Sequence, residues 1–201
     1  MNPNHKPSRL LITGPSGSGK TTLALSYAKR WAARWRFVFD HDEQMASRLE
    51  IEPAWLLAGA GQQVTGQGRT CVYDPTAQYG ADTRRGFEAF CGWTFEVSAM
   101  LEGVKLLIVE ELDFVVPAAG NLGPAFASIL RLGRRRELDL LAITQSPAGL
   151  HRDLRNQFTH IETFRFNDPL PREWLRQSGV NLDELDTLRT HETLRKNCGA
   201  Q

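Results

Sequence analysis

Cysteine is scarce in this chain. Only three of its 201 residues are cysteine (Cys71, Cys91, Cys198), an odd number at wide spacing. They form neither a metal-ligand pair nor a disulfide framework, and they favour a reducing compartment. Long apolar runs are missing too. The strongest, around Leu106–Val109, falls far short of the ~20 residues that span a bilayer. The opening residues, Met1-Asn2-Pro3-Asn4-His5-Lys6, lack the apolar core of a secretory signal. An excess of one charge is also absent, since 24 Lys and Arg stand against 23 Asp and Glu for a net +1. Nothing global therefore points to nucleic acid or to a membrane. Any DNA contact requires a local patch, or a ring of subunits that concentrates one. There is no internal repeat and no low-complexity tract. A soluble, cytosolic protein is expected.

What is present fits a folded α/β domain. Apolar residues make up 41% and charged residues 23% of the chain, near the averages for globular proteins. Short apolar runs alternate with helical patterns, the arrangement that builds a mostly parallel sheet. Strands are expected at Arg9–Thr13, Arg36–Asp40, Cys71–Tyr73, Lys105–Glu110, Asp139–Thr144 and Thr159–Phe166. Helices are expected from about Lys20 to Trp35, with Ala24, Ala28, Trp31 and Trp35 on one face, and over Glu43–Glu50 and Arg84–Gly103. A further helix runs to about Arg136 with Asn121 as its cap. Gly59 to Arg69, rich in Gly and Gln, reads as a loop. Residues 1–166 form the core on this reading. Residues 167–201 form a small helical C-terminal appendage outside the sheet, with short helices near Pro171–Gln177 and Leu182–Leu188.

One motif carries the chemistry. Gly14-Pro15-Ser16-Gly17-Ser18-Gly19-Lys20-Thr21 matches G-x-x-x-x-G-K-[ST] at every fixed position, between an expected strand and an expected helix. Glycines let the backbone curl so that several N–H groups face one anion, helped by the positive end of the helix. Lys20 reaches the β- and γ-phosphates, and the Thr21 hydroxyl, followed by Thr22, takes a place on Mg²⁺. The alternative is a Gly/Ser turn that matches by accident. Average residue frequencies put that at under about 1% for a chain of this length.

Leu106–Val109 followed by Glu110 and Glu111 has the form of a Walker B element. A parallel strand brings its C-terminal end beside the phosphate loop. Glu110 is then the Mg²⁺ residue, in place of the usual Asp, and Glu111 polarises the attacking water. Asp113 competes for that role, and two solvated acids at a strand end is the plain alternative. Leu140–Thr144 ends in Gln145, placed to contact the γ-phosphate or the attacking water. Arg131, Arg134, Arg135 and Arg136 precede that strand at a helix end, where cations suit the dipole. One of them is alternatively an arginine finger for a neighbouring subunit.

These residues together resemble a family. Gly133-Arg134 … Ala142-Ile143-Thr144-Gln145-Ser146-Pro147 is similar to the "GR … atQ-P" segment of the FtsK–HerA superfamily of DNA-pumping ATPases. The phosphate loop and paired acids fit as well. Phe37–Glu43 and Val72–Pro75 look like strand-plus-Asp elements of its viral branch, the genome-packaging ATPases of membrane-containing icosahedral viruses and phages. The resemblance covers roughly residues 8–166. It implies a RecA-like (ASCE) P-loop NTPase fold, with ATP and Mg²⁺ as ligands. It also implies a ring, usually a hexamer, around double-stranded DNA, with capsid or portal-vertex proteins as partners. The implied setting is the host cytoplasm or the virion's packaging vertex. Arg134 matches the family's Gly-Arg and is the finger candidate. Gly59–Arg69 and Asp82–Arg85 are candidate DNA loops, each alternatively a plain solvated connection. A filamentous-phage assembly ATPase of the Zot type and a small-molecule P-loop kinase are the other readings. The first normally carries a membrane helix, and the second rarely has tandem carboxylates before a Gln-ended strand.

Overall fold

The computed structural model describes residues 5–66, 69–116 and 118–199. Seven strands form one sheet in the order β3-β2-β4-β5-β1-β6-β7. They are β1 (Arg9–Thr13), β2 (Trp35–Phe39), β3 (Thr70–Tyr73), β4 (Lys105–Val109), β5 (Leu138–Thr144), β6 (His160–Phe164) and β7 (Thr193–Asn197). All pair in parallel except β7, which runs antiparallel to β6. The helices follow in chain order as α1 (Lys20–Arg30), α2 (Gln44–Leu49), α3 (Leu57–Thr65), α4 (Thr76–Tyr79) and α5 (Thr83–Val97). Then come α6 (Leu112–Val115), α7 (Pro124–Leu132), α8 (Arg152–Arg155), α9 (Pro169–Gln177) and α10 (Leu182–Thr187). The fold is RecA-like, a mostly parallel central sheet with helices on both faces.

The strand sequences explain the layers. Every residue of β4 and β5 is buried, as expected of parallel strands covered on both faces. Alternate residues enter two separate cores. Leu107, Val109, Leu140 and Ala142 pack with Phe37, Phe39, Phe87, Phe90 and Phe126 on one side. Leu106, Ile108, Leu141 and Ile143 pack with Ala24, Leu25 and Ala28 of α1 on the other. The register Phe37↔Leu107 and Ile108↔Leu141 keeps equivalent residues on the same side.

Four local expectations are corrected. The first helix stops at Arg30, and Trp35 opens β2 instead of extending the helical face. Backbone bonds from Arg34 and Trp35 to the Val104 carbonyl draw this stretch into the sheet. The Arg36 Nε then donates to the Ala28 carbonyl at the helix end. Most of the expected Gly59–Arg69 loop is α3, whose Ala60 and Val64, four apart, are buried together; Gln67 and Gly68 lie outside the described residues. Asn121 is not the cap of the expected helix. Helix α7 starts at Pro124 behind Gly123, and Glu88 of α5 accepts from the Ala125 and Phe126 N–H groups at 2.9 and 3.3 Å. That carboxylate supplies a cap from another helix. Finally, the tail carries the two expected helices but also β7, which joins the sheet through Thr163↔Leu194 and its neighbours.

Candidate active site

The C-terminal ends of β1, β2, β4 and β5 lie along one edge of the sheet, and the motif residues gather there. The phosphate loop follows β1. Gly17 and Gly19 hold φ of 73° and 104°, a left-handed backbone that only glycine adopts without strain. A Cβ on Gly14 would stand 2.7 Å from Ser18 Oγ and 2.9 Å from Phe164, so the curl closes only without a side chain there. No acid lies in the first turn of α1, which leaves the helix's positive end free to face an anion. Lys20 is buried, and its Nζ donates to the Pro15 carbonyl at 2.9 Å. Burial pulls its pKa down, against the opposing pull of Glu111, Glu110 and Asp113.

The acids come from two strands. Thr21 Oγ1 donates to Glu110 Oε1 at 2.7 Å, tying the start of α1 to the end of β4. Asp40, at the end of β2, lies alongside and accepts from the Ala46 N–H at 2.6 Å. Ligand oxygens of Asp40, Asp42 and Glu110 all fall within 4.8 Å of one another. Asp40 Oδ1 and Glu110 Oε2 are buried without a hydrogen-bond partner among the described residues. Burial, reinforced by the neighbouring acids Asp42, Asp40 and Glu111, pushes the Glu110 carboxyl up to about 7 despite the Thr21 bond. Burial raises Asp40 to about 6. Buried acids with orphaned oxygens beside a hydroxyl are the donor set of a hard divalent cation, so the residues present fit Mg²⁺.

Glu111 follows with φ of 50°, a left-handed conformation that costs a non-glycine residue about 1 kcal/mol or more. Its Oε1 accepts from Gln145 Nε2 at 2.6 Å, and its Oε2 lies 3.5 Å from His41 Nε2. His41 in turn stacks on Phe114, with ring centroids 4.8 Å apart and planes 8° from parallel. Because β5 sits between β1 and β4, Gln145 stands between the phosphate loop and the acids. Asp113 accepts instead from Thr144 Oγ1 at 2.6 Å. A cleft of about 350 Å³ brings together Lys20, Thr21, Thr22, Glu110, Glu111 and Gln145.

Arg134 is not among them. It is exposed in the 3₁₀ turn Gly133–Arg136, before the N-terminal end of β5. Seven strand residues separate it from Gln145, about 20 Å. Within one chain it does not reach the phosphate loop.

Sequence reasoning missed four contributors. Asp40 and Asp42 were visible only as acids after a strand, His41 only as their neighbour. Arg48 of α2 lines the same cleft and donates to Thr22 Oγ1 at 2.8 Å, with no motif to announce it.

The fold and loop define a class, the RecA-like P-loop nucleoside triphosphatases. No protein-family model matches the chain, and no characterised protein matches it by sequence. Solved structures do match. The genome packaging NTPase B204 from Sulfolobus turreted icosahedral virus 2, in complex with AMPPCP, superimposes with a TM-score of 0.76 at 20% identity, over 98% of this chain and 94% of that one. The DNA-packaging ATPase B204 from Sulfolobus turreted icosahedral virus gives 0.69 at 18% identity, over 96% and 94%. The pCW3 conjugation coupling protein TcpA, in its monomer form with ATPgS, gives 0.56 at 15% identity, over 98% of this chain and 59% of that one. At these identities the likeness is one of fold, and it is to the kind of ATPase that the sequence motifs resemble. No helix among the described residues is long and apolar enough to cross a membrane.

Proposed function

We propose that the chain is an ATP-hydrolysing motor that moves double-stranded viral DNA into a preformed capsid, working as a homo-oligomeric ring. The observation that carries this reading is the single cleft shared by Lys20, Thr21, Glu110, Glu111 and Gln145. The likeness to a viral genome packaging NTPase over nearly the whole of both chains supports the packaging role.

In this mechanism the phosphates lie in the curl of Gly14–Thr21, and Lys20 meets the β- and γ-phosphates. Thr21 and Glu110, with Asp40 and Asp42 beside them, would hold Mg²⁺, which would supply positive charge against the phosphate oxygens. Glu111 takes a proton from water while the water oxygen bonds to the γ-phosphorus, and the bond to the ADP oxygen breaks. Gln145 holds Glu111 in line for that transfer. Arg134 serves a neighbouring subunit's nucleotide, because its own is out of reach. Double-stranded DNA, further copies of the chain and capsid or portal-vertex proteins are the partners, in the host cytoplasm or at the packaging vertex.

The test is ATP hydrolysis by the purified protein with and without double-stranded DNA, with its mass in solution measured alongside. DNA-stimulated turnover by a ring is expected. Phosphate transfer to a nucleoside or metabolite by a monomer would overturn the motor.

A further inference from the structure

Glu111 has two carboxylate oxygens, and each is approached from a different strand. The sheet order β2-β4-β5 puts the end of β4 between the ends of its two neighbours. From the β5 side Gln145 Nε2 donates to Oε1 at 2.6 Å. From the β2 side His41 Nε2 stands 3.5 Å from Oε2. The register explains why His41 is the residue that arrives. Phe39 pairs with Val109, and two residues further along each chain come His41 and Glu111.

The imidazole is held by rings. It stacks on Phe114, with centroids 4.8 Å apart and planes 8° from parallel, and lies 6.4 Å from Phe39 at 27°. Phe114 belongs to α6, and its N–H donates to the Glu111 carbonyl at 2.9 Å. One residue thus ties the Glu111 main chain to the His41 ring. Nδ1 of His41 is buried and has no hydrogen-bond partner among the described residues. A neutral imidazole carries a single N–H. On Nδ1 that hydrogen would be a buried donor without an acceptor, which is costly, whereas on Nε2 it has the Glu111 carboxylate. The surroundings therefore assign the hydrogen to Nε2.

We infer that His41 is a positioning residue for Glu111. Its Nε2–H sets the direction of Oε2 while Gln145 fixes Oε1, so the carboxylate is held from both sides. The inference rests on the hydrolytic role of Glu111 proposed above. His41 does not line the nucleotide cleft, so it acts through Glu111. At 3.5 Å the contact is longer than a formed hydrogen bond, and Oε2 keeps lone pairs with which to take a proton from water. Such contacts tighten when substrate binds.

Steady-state ATP hydrolysis by the full chain tests it, with the Mg²⁺ requirement measured for each variant. His41→Phe keeps a ring against Phe114 but has no N–H. His41→Gln lacks the ring but carries an amide N–H at the reach of Nε2, and the shorter amide of His41→Asn falls at Nδ1. His41→Phe and His41→Asn should each lower kcat about tenfold or more, the scale of a misplaced catalytic group, with KM for ATP and the Mg²⁺ requirement unchanged. His41→Gln should restore most of the turnover. On the residual turnover of Glu111→Gln, His41→Phe should have no further effect, because the group it positions is gone. Unchanged kcat in His41→Phe and His41→Asn would overturn the inference. So would a loss that His41→Gln shares in full, which makes ring packing the role. A loss accompanied by weaker Mg²⁺ or ATP binding would also overturn it, placing His41 with Asp40 and Asp42 at the metal. A wild type that does not hydrolyse ATP, or a Glu111→Gln variant that still does, overturns the hydrolytic reading itself. An active wild type and an inactive Glu111→Gln, with indifferent His41 variants, overturn only the part given to His41.

Discussion

Thr21 Oγ1 donates to Glu110 Oε1 across 2.7 Å, joining the first turn of α1 to the residue directly after β4. On the proposed mechanism Glu110 lies on the metal side of the site, and Glu111, whose Oε1 accepts from Gln145, is the group that meets water. Glu111→Gln keeps the shape but removes the proton acceptor. It should bind ATP with unchanged affinity and lose at least about 100-fold in kcat, the lower range for a general base. Single-turnover assays beside nucleotide titration check this. Retained turnover would place the base elsewhere, although Asp113 is already occupied by Thr144.

The buried acids make stability depend on pH in a definite direction. Asp40 and Glu110 rise from 3.8 and 4.5 to about 6 and about 7, mainly through burial. The folded state then holds protons that the unfolded chain has released. Their stabilisation is complete below about pH 4 and is lost as pH rises through 6 to 7. Mg²⁺ binds the ionised form and should reverse that loss. Melting in EDTA should show Tm falling between pH 5 and 7.5, and added Mg²⁺ should raise Tm by about 3 °C or more at the upper end, equivalent to roughly 1 kcal/mol for a chain of this size. Glu110→Gln should flatten the EDTA profile. Identical slopes with and without the ion would exclude this cluster as the metal site.

Phe39 sets the position of those acids from below. It is fully buried at the end of β2, with Phe87 at 5.1 Å, Phe90 at 5.8 Å and Tyr73 at 6.3 Å between ring centroids. Phe39→Ala should cost about 3–5 kcal/mol, the usual range for a buried aromatic. Urea unfolding measures it. A loss under about 1 kcal/mol would mean that the cluster does not hold the strand end.

Much of this was legible in the sequence, and the remainder failed for physical reasons. The loop, the runs Leu106–Val109 and Leu140–Thr144 and the acids behind them are local patterns, and they appear where expected. Distant partners decided the other cases. Trp35 sits in a stretch whose periodicity is helical, yet pairing with β4 outweighs it. The cap of α7 is the Glu88 side chain, 37 residues from Ala125. β7 is polar, and only its ladder with β6 makes it a strand. Asp40, Asp42 and Arg48 become site residues because β2 lies next to β4. Strand order is not written in any short segment.

Arg134 is the assignment that geometry leaves to a neighbour. It stands at the opposite end of β5 from Gln145, so a catalytic role requires that one subunit's lower edge face the next subunit's cleft. Arg134→Ala should then lower kcat by about 10³-fold, the scale for an arginine finger, with little change in nucleotide affinity. Lys20→Ala should be inactive for a different reason, since it cannot hold the phosphates. Rings mixed from the two variants contain interfaces where an intact Arg134 meets an intact Lys20 cleft. Those interfaces should regain turnover, rising to a maximum as the proportions approach equality. If mixtures stay inactive while mass measurements show that subunits have exchanged, Arg134 does not act across the interface, and the cations beside it simply satisfy the helix end.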